Sequence, residues 1–328
     1  MGAITQSFIY SFESHLQHEI QSAWEFVQQN LWWQRIATTR PSSTLKEIYE
    51  WQLSTAAIHD LGKEGAQKYY ADLVSQQFSI ENKYWGESLK LSKRQLMDNE
   101  YDLAAQWASD VGEAGGYHPQ RLIIDLIKNG KNRRGYDGKF YFATDHPYNP
   151  FNSGAGTYSN LFTSSATYNL SATSLADAYA HIEGIKQPDG KTPRYLKGTQ
   201  LIVPPTLRLR AFELTGAEQI TDPLNSGGGA SATNMIANKT AYGFDVPIVV
   251  PELADEPYVW YLAVPNVRRS PMKGALIYQE REPFVLSSYT TATDVELMRI
   301  NQFEWHYEGR SVAAYGDPFL LYRFEGVA

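Results

Sequence analysis

The sequence predicts an α+β protein, and three observations carry that expectation. Apolar residues recur at steps of three and four in the first part of the chain, then alternate singly in short runs further on. No internal repeat and no regular strand–helix–strand succession is present, which argues against a doubly wound nucleotide-binding sheet. Residues 98–129 read as one bent helix of about 30 residues, a spine rather than an ordinary globular helix. The 328 residues suffice for about two domains and a substantial core.

In chain order, the first element is an amphipathic helix over Phe12–Ile36, with Phe12, Leu16, Ile20, Trp24, Val27 and Leu31 on one face. It ends in Trp32-Trp33, two rings that face different ways and both need cover. Thr44 and Glu47 form a capping-box pattern, which predicts a second helix through about Leu53. Neither helix has a sheet to rest on, so the first 60 residues read as an arm. Over 66–97, Phe78 and Ile80, then Leu89 and Leu91, alternate with polar positions around Asn82 and Gly86. That predicts a long hairpin with Glu81, Lys83, Glu87, Lys90, Lys93 and Arg94 on its exposed positions. Ser92 is placed to cap the spine, where Tyr101, Ala104, Ala108 and Val111 share a face. Gly112, Gly115 and Gly116 weaken the spine midway, by about 1 kcal/mol each relative to Ala. It resumes at Pro119, with Leu122, Ile123, Leu126 and Ile127 on one side, and stops at Gly130.

The next stretch, Tyr136–Pro147, organises the middle of the chain. Lys139–Ala143 suits an aromatic strand, Asp137-Gly138 makes the turn before it and Pro147 closes it. Phe151–Asn160 is a loop, and Ser171–Lys186 is a helix with Leu175, Tyr179 and Ile182 on one side. Gln200–Val203 is a strand stopped by Pro204-Pro205, followed by a helix over Thr206–Leu214. Gly227, Gly228 and Gly229 lie in a glycine-rich loop that needs a partner to hold it. Val246–Val250, Tyr258–Val264 and Ala275–Tyr278 are strands. Phe303, Trp305 and Tyr307 alternate with charged or polar neighbours, and Pro318–Phe324 is expected to pair with them across the turn at Tyr315-Gly316-Asp317.

Composition excludes several function classes. The net charge of −7 argues against a surface that coats nucleic acid, and the basic run Lys128–Arg134 is too short to change that. With no cysteine, disulfides, thiolate catalysis and cysteine-ligated metals are excluded, which fits intracellular folding. No basic residue precedes Arg35, so no secretory n-region is read, and no apolar run approaches the roughly 20 residues of a membrane span. The 22 Tyr, 14 Phe and 8 Trp are enough to supply a large buried interface as well as a core.

Three constellations invite chemistry and none holds it. Asp145-His146 pairs a carboxylate with an imidazole, but neighbours on an extended chain point to opposite faces; loop capping by Asp145 is the better reading. His15 and His18 lie one helical turn apart without a third ligand nearby. Gly184–Thr192 has five residues between its glycines where a phosphate loop needs four, and it follows a helix. No catalytic residue, metal or cofactor is expected. The rival class is a hydrolase using Asp145 and His146 with a distant carboxylate.

The order of several stretches resembles the major head subunit of Mu-like phages and prophages. They are Ile80-Glu-Asn-Lys-Tyr-Trp-Gly-Glu-Ser-Leu-Lys-Leu-Ser92, His118-Pro119 with Leu122–Gly130, and Tyr136-Asp-Gly-Lys-Phe-Tyr-Phe-Ala-Thr-Asp-His-Pro147. Leu201-Ile-Val-Pro-Pro205, Val249-Val-Pro-Glu-Leu253 with Trp260-Tyr-Leu262, and Ala313-Ala-Tyr-Gly316 follow, so the resemblance covers roughly residues 30–328. It implies the Hong Kong 97-type capsid fold: an arm over 1–65, an extended loop over 66–97, a peripheral domain over 98–164 and 276–328 containing the spine 98–129, and an axial domain over 165–275.

The implied function is self-assembly, as hexamers and pentamers, into an icosahedral shell around phage DNA. Its implied setting is a virion assembled in the host cytoplasm, away from membranes. The implied company is scaffold, portal, a prohead protease or decoration protein, and double-stranded DNA held non-specifically. Under that reading Trp32, Trp33 and Trp85 are expected to anchor in a neighbour, with intramolecular packing the equal alternative. Glu81, Glu87, Lys90 and Arg94 are expected in inter-subunit ion pairs, and Gly227, Gly228 and Gly229 near a capsomer centre. Gly112, Gly115 and Gly116 are expected to let the spine bend. A tail or decoration protein is the third reading.

Overall fold

In the computed structural model, residues 6–52, 75–97, 101–221, 231–265, 274–290 and 302–328 are described; Gly227, Gly228 and Gly229 lie outside them. The chain opens with helix α1 (Gln6–Gln28), a 3-10 turn over Trp33–Arg35 and strand β1 (Ala37–Pro41). Strands β2 (Lys46–Gln52), β3 (Ser75–Glu81) and β4 (Lys83–Ser92) come next, then the short helix α2 (Lys93–Met97) and the long helix α3 (Tyr101–Asn129). Short strands β5 (His146–Pro147), β6 (Thr157–Tyr158) and β7 (Leu161–Phe162) precede helix α4 (Ala172–Glu183). Strand β8 (Gln200–Val203), helix α5 (Arg208–Gly216) and strands β9 (Gln219–Thr221), β10 (Ser231–Thr233), β11 (Ile248–Val249) and β12 (Val259–Ala263) follow. The chain closes with β13 (Leu276–Tyr289), β14 (Gln302–Tyr315) and β15 (Leu321–Glu325).

Two main sheets organise these elements. One runs β1-β13-β14-β4, with β1 parallel to β13 and the rest antiparallel; the other runs β11-β8-β12-β15-β7. A separate antiparallel ribbon joins β2 to β3, from Lys46↔Glu81 to Gln52↔Ser75.

Several expectations change here. Residues 46–52 form a strand, not a helix. Glu47 still accepts hydrogen bonds from the Ser43 backbone, the Ser42 hydroxyl and the Thr44 backbone, which hold its pKa down at about 2. The capping pattern was real, but Ile48, Tyr49 and Trp51 suit a strand and found one to pair with. The strands within 66–97 exist but do not pair with each other: β3 pairs with β2 and β4 with β14. Asn82 marks the switch. Its side chain donates to the Ser42 hydroxyl and Thr44 carbonyl and accepts from Gln279.

The spine runs unbroken through its three glycines and Pro119. Lys139–Ala143 is a compact turn rather than a strand, because its backbone folds onto the end of α3: Tyr141 and Phe142 donate to the carbonyls of Arg133 and Gly130. The expected hairpin of 303–308 with 318–324 is absent, since β14 and β15 belong to different sheets. Nor is α1 an arm without a core. Its Ile9, Phe12, Leu16 and Ile20 pack with Ala104, Ala108 and Val111 of α3 and with Phe303, Trp305 and Tyr307 of β14.

Candidate assembly surface

The ribbon β2–β3 stands apart from both main sheets and packs on the chain along one side, where Trp51 and Ile80 meet Ile277 and Ala314. A two-stranded ribbon is marginal in water, and Leu45 and Ile48 stand exposed on it. Trp51, near the end of the ribbon away from Asn82, ties it to the rest of the chain: it is buried, stacks on Tyr136 at 4.5 Å and donates its indole N–H to Asp317 at 2.7 Å. Asp317 is wholly buried, and that burial pushes its pKa up to about 7 against the pull of Arg194 and the Trp51 hydrogen bond. Nothing in the sequence marks this pair, 266 residues apart; Asp317-Pro318 reads simply as turn chemistry.

The expected anchors divide. Trp32 and Trp33 are buried in the chain's own main core. The Trp32 backbone N–H donates to the buried Gln120 side chain, and Trp33 meets Tyr278 edge-on at 5.1 Å. The intramolecular alternative therefore holds for both, and neither offers a ring to a neighbour. Trp85 is half-buried; its indole donates to the Ser311 carbonyl and its ring meets His118 edge-on. His118 lies between Trp85 and Phe284, and its burial lowers its pKa to about 4, with Arg121 acting in the same sense.

Lys90 is satisfied inside the chain, 2.6 Å from its cross-strand partner Glu304. Glu81, Glu87 and Arg94 are exposed and form no ion pair among the described residues.

Gly112, Gly115 and Gly116 sit where neighbours crowd the spine. A Cβ at Gly112 would lie 2.5 Å from the Ile20 carbonyl oxygen, at Gly115 2.7 Å from the Tyr307 hydroxyl, and at Gly116 3.0 Å from Val27. In this conformation they are packing positions, not joints.

Asp145 and His146 do not work together. Asp145 pairs with exposed Lys139, whereas the wholly buried His146 places Nδ1 2.5 Å from Asp137 and Nε2 near Asn160 and the Tyr141 carbonyl. Adjacent side chains did point opposite ways. The basic run is internally balanced: Lys128 pairs with Asp255, Lys131 with Glu325 and Arg133 with Asp125, while Arg134 donates to the Gly138 carbonyl. His15 and His18 are exposed on α1, with His15 4.0 Å from Glu19. Among the described residues no helix is long and apolar enough to cross a membrane.

A second buried charge network was also invisible in the sequence. Arg323 on β15 donates to Glu256 at 2.6 Å, Glu325 at 2.7 Å and the Tyr261 hydroxyl at 2.5 Å.

Residues 9–169 match the family model described as Mu-like prophage major head subunit gpT. The chain is 25% identical over 112 residues to the Mu-like prophage FluMu major head subunit of Haemophilus influenzae, and 27% identical over 127 residues to the major capsid protein of Escherichia phage Mu. Those stretches are 34% and 38% of this chain and span only 35% and 40% of the two relatives. In fold, the chain is similar to a chain of the bacteriophage JBD30 procapsid, with a TM-score of 0.55 and 18% identity, covering 99% of this chain and 77% of that one. It is also similar to a capsid chain of the native GTA particle, at a TM-score of 0.54 and 11% identity, covering 90% and 89%. The resemblance to Mu-like head subunits and the α+β phage-capsid fold read from the sequence are both borne out.

Proposed function

We propose that this chain is a major head subunit that assembles with copies of itself, as hexamers and pentamers, into the icosahedral shell of a Mu-like phage or prophage. The observation that carries the reading is the coincidence of two likenesses: a head-subunit sequence match over residues 9–169 and a procapsid fold match over 99% of the chain. The physical role is to repeat one set of contacts around a closed surface, which needs large interfaces and segments that reach beyond their own core.

In this reading the ribbon of Lys46–Gln52 and Ser75–Glu81 meets a neighbour, together with the rest of the expected loop over 66–97, and α1 folds back on its own spine. The peripheral domain is α3 with the four-stranded sheet. The axial domain is the five-stranded sheet with α4 and α5. Of the charges expected to pair across subunits, Glu81, Glu87 and Arg94 are exposed and would meet a neighbour, each pair contributing under about 1 kcal/mol. Scaffold, portal, prohead protease, decoration protein and non-specifically held double-stranded DNA are the expected company, in a virion assembled in the host cytoplasm. The hydrolase reading gains no support, because sealed His146 faces Asp137 rather than a substrate cleft.

The test is electron microscopy of the purified protein, alone and with a co-expressed scaffold. Closed shells, or isolated hexamers and pentamers, are expected. A stable monomer under every condition would overturn the reading, and shell-sized particles of this chain alone would exclude a tail or decoration role.

A further inference from the structure

Tyr195 combines strain with exposure in a way the fold does not need. Its φ is +57°, in the left-handed region that costs a bulky L residue energy and that glycine or asparagine occupies more cheaply. Its side chain is 75% exposed, so packing inside the chain does not offset the strain. Backbone strain persists only where the surroundings over-determine it, and they do so here. The Arg194 backbone N–H donates to the Ile185 carbonyl at 2.8 Å, and its Nε donates to the Lys186 carbonyl at 2.8 Å. The Arg194 guanidinium lies 3.9 Å from the centroid of the Phe319 ring, and on the other side Leu196 is buried.

The loop that carries Tyr195 is equally fixed at its tip. The Asp189 carboxylate accepts from the backbone N–H groups of Lys191 and Thr192 and from the Thr192 hydroxyl. Gly190, at φ +68°, presses so closely on Ala155 that a Cβ would lie 2.3 Å from its carbonyl oxygen. The turn it rests on carries Phe151, 66% exposed. An aromatic ring thus projects from a clamped backbone, needing little ordering on contact, and tyrosine is among the residues enriched at binding hot spots.

We propose that Tyr195 is a pre-set anchor buried by a second copy of this chain when copies assemble. The proposal rests on the shell reading. What the second copy covers is the ring rather than its hydroxyl.

The test compares wild type, Tyr195→Asn and Tyr195→Phe in the full chain, reading the concentration at half-assembly by light scattering and the Tm of the unassembled chain. Asparagine keeps the left-handed backbone at less cost and removes the ring. Its half-assembly concentration should rise about tenfold or more, while phenylalanine stays within about threefold of wild type. The Tm of the asparagine variant should be no lower than wild type. Wild-type shells matched by equally ready Tyr195→Asn shells would overturn this proposal alone, as would a fall in Tm showing that the ring serves the fold. A wild-type chain that stays monomeric at every concentration would overturn the shell reading, and this proposal with it.

Discussion

Asp317 and His118 bear on stability with opposite signs. Burial raises the Asp317 pKa from 3.8 to about 7, so its folded form prefers the neutral acid. Its contribution is fully present below pH 3.8 and is lost as pH rises through about 7. Asp317→Asn keeps an acceptor for the Trp51 indole without the charge. It should match wild type near pH 4 and exceed it at pH 8 by on the order of 3 kcal/mol, checked by denaturant titration at both pH values. His118, lowered from 6.5 to about 4 by burial, contributes above pH 6.5 and loses that contribution as pH falls through about 4. Neither residue was legible as sensitive, because burial is set by elements far away in sequence. His118 comes from α3 and its aromatic neighbours from β4 and β13; Trp51 comes from a strand the sequence presented as a helix.

At the scale of elements, the α1–α3 crossing tests what the spine glycines are for. Were Gly112 only a weak helix residue, alanine would stabilise by about 1 kcal/mol. Its closest neighbour is instead the Ile20 backbone, which has no rotamer to yield. Gly112→Ala should therefore destabilise by roughly 1–3 kcal/mol, read by thermal unfolding, and loosen α1 from α3 in hydrogen exchange. Elements whose evidence is local were legible: the amphipathic stripe of α1, strands β8 and β12, and Ser92 as a cap, though its reciprocal pair with Gln95 opens the short α2 rather than the spine. Partner choice was not. β3 leaves β4 for β2, and β14 and β15 part at Gly316-Asp317, because strand pairing is decided by packing against distant neighbours. The tryptophans show the same limit. Trp32-Trp33 declared a need for cover, but sequence does not say whose.

At the scale of the whole molecule, the five-stranded sheet joins residues from both halves of the chain. β15 sits inside it, between β12 and β7, and carries buried Arg323 with its carboxylate partners. Deleting residues 318–328 should leave no cooperative unfolding transition for that sheet, whereas deleting 327–328 should leave it intact; calorimetry separates the two. Removing an interior strand strips hydrogen bonds from both neighbours and leaves Glu256 without its buried cation. The same position of β15 governs events on the ribosome. Strands β7, β8, β11 and β12 emerge early but lack the strand that joins β7 to β12 until residues 321–325 have been synthesised, and such long-range closure is slow. A nascent chain consequently holds an unfinished five-stranded sheet, with β12 presenting an unpaired edge, until its last residues leave the ribosome.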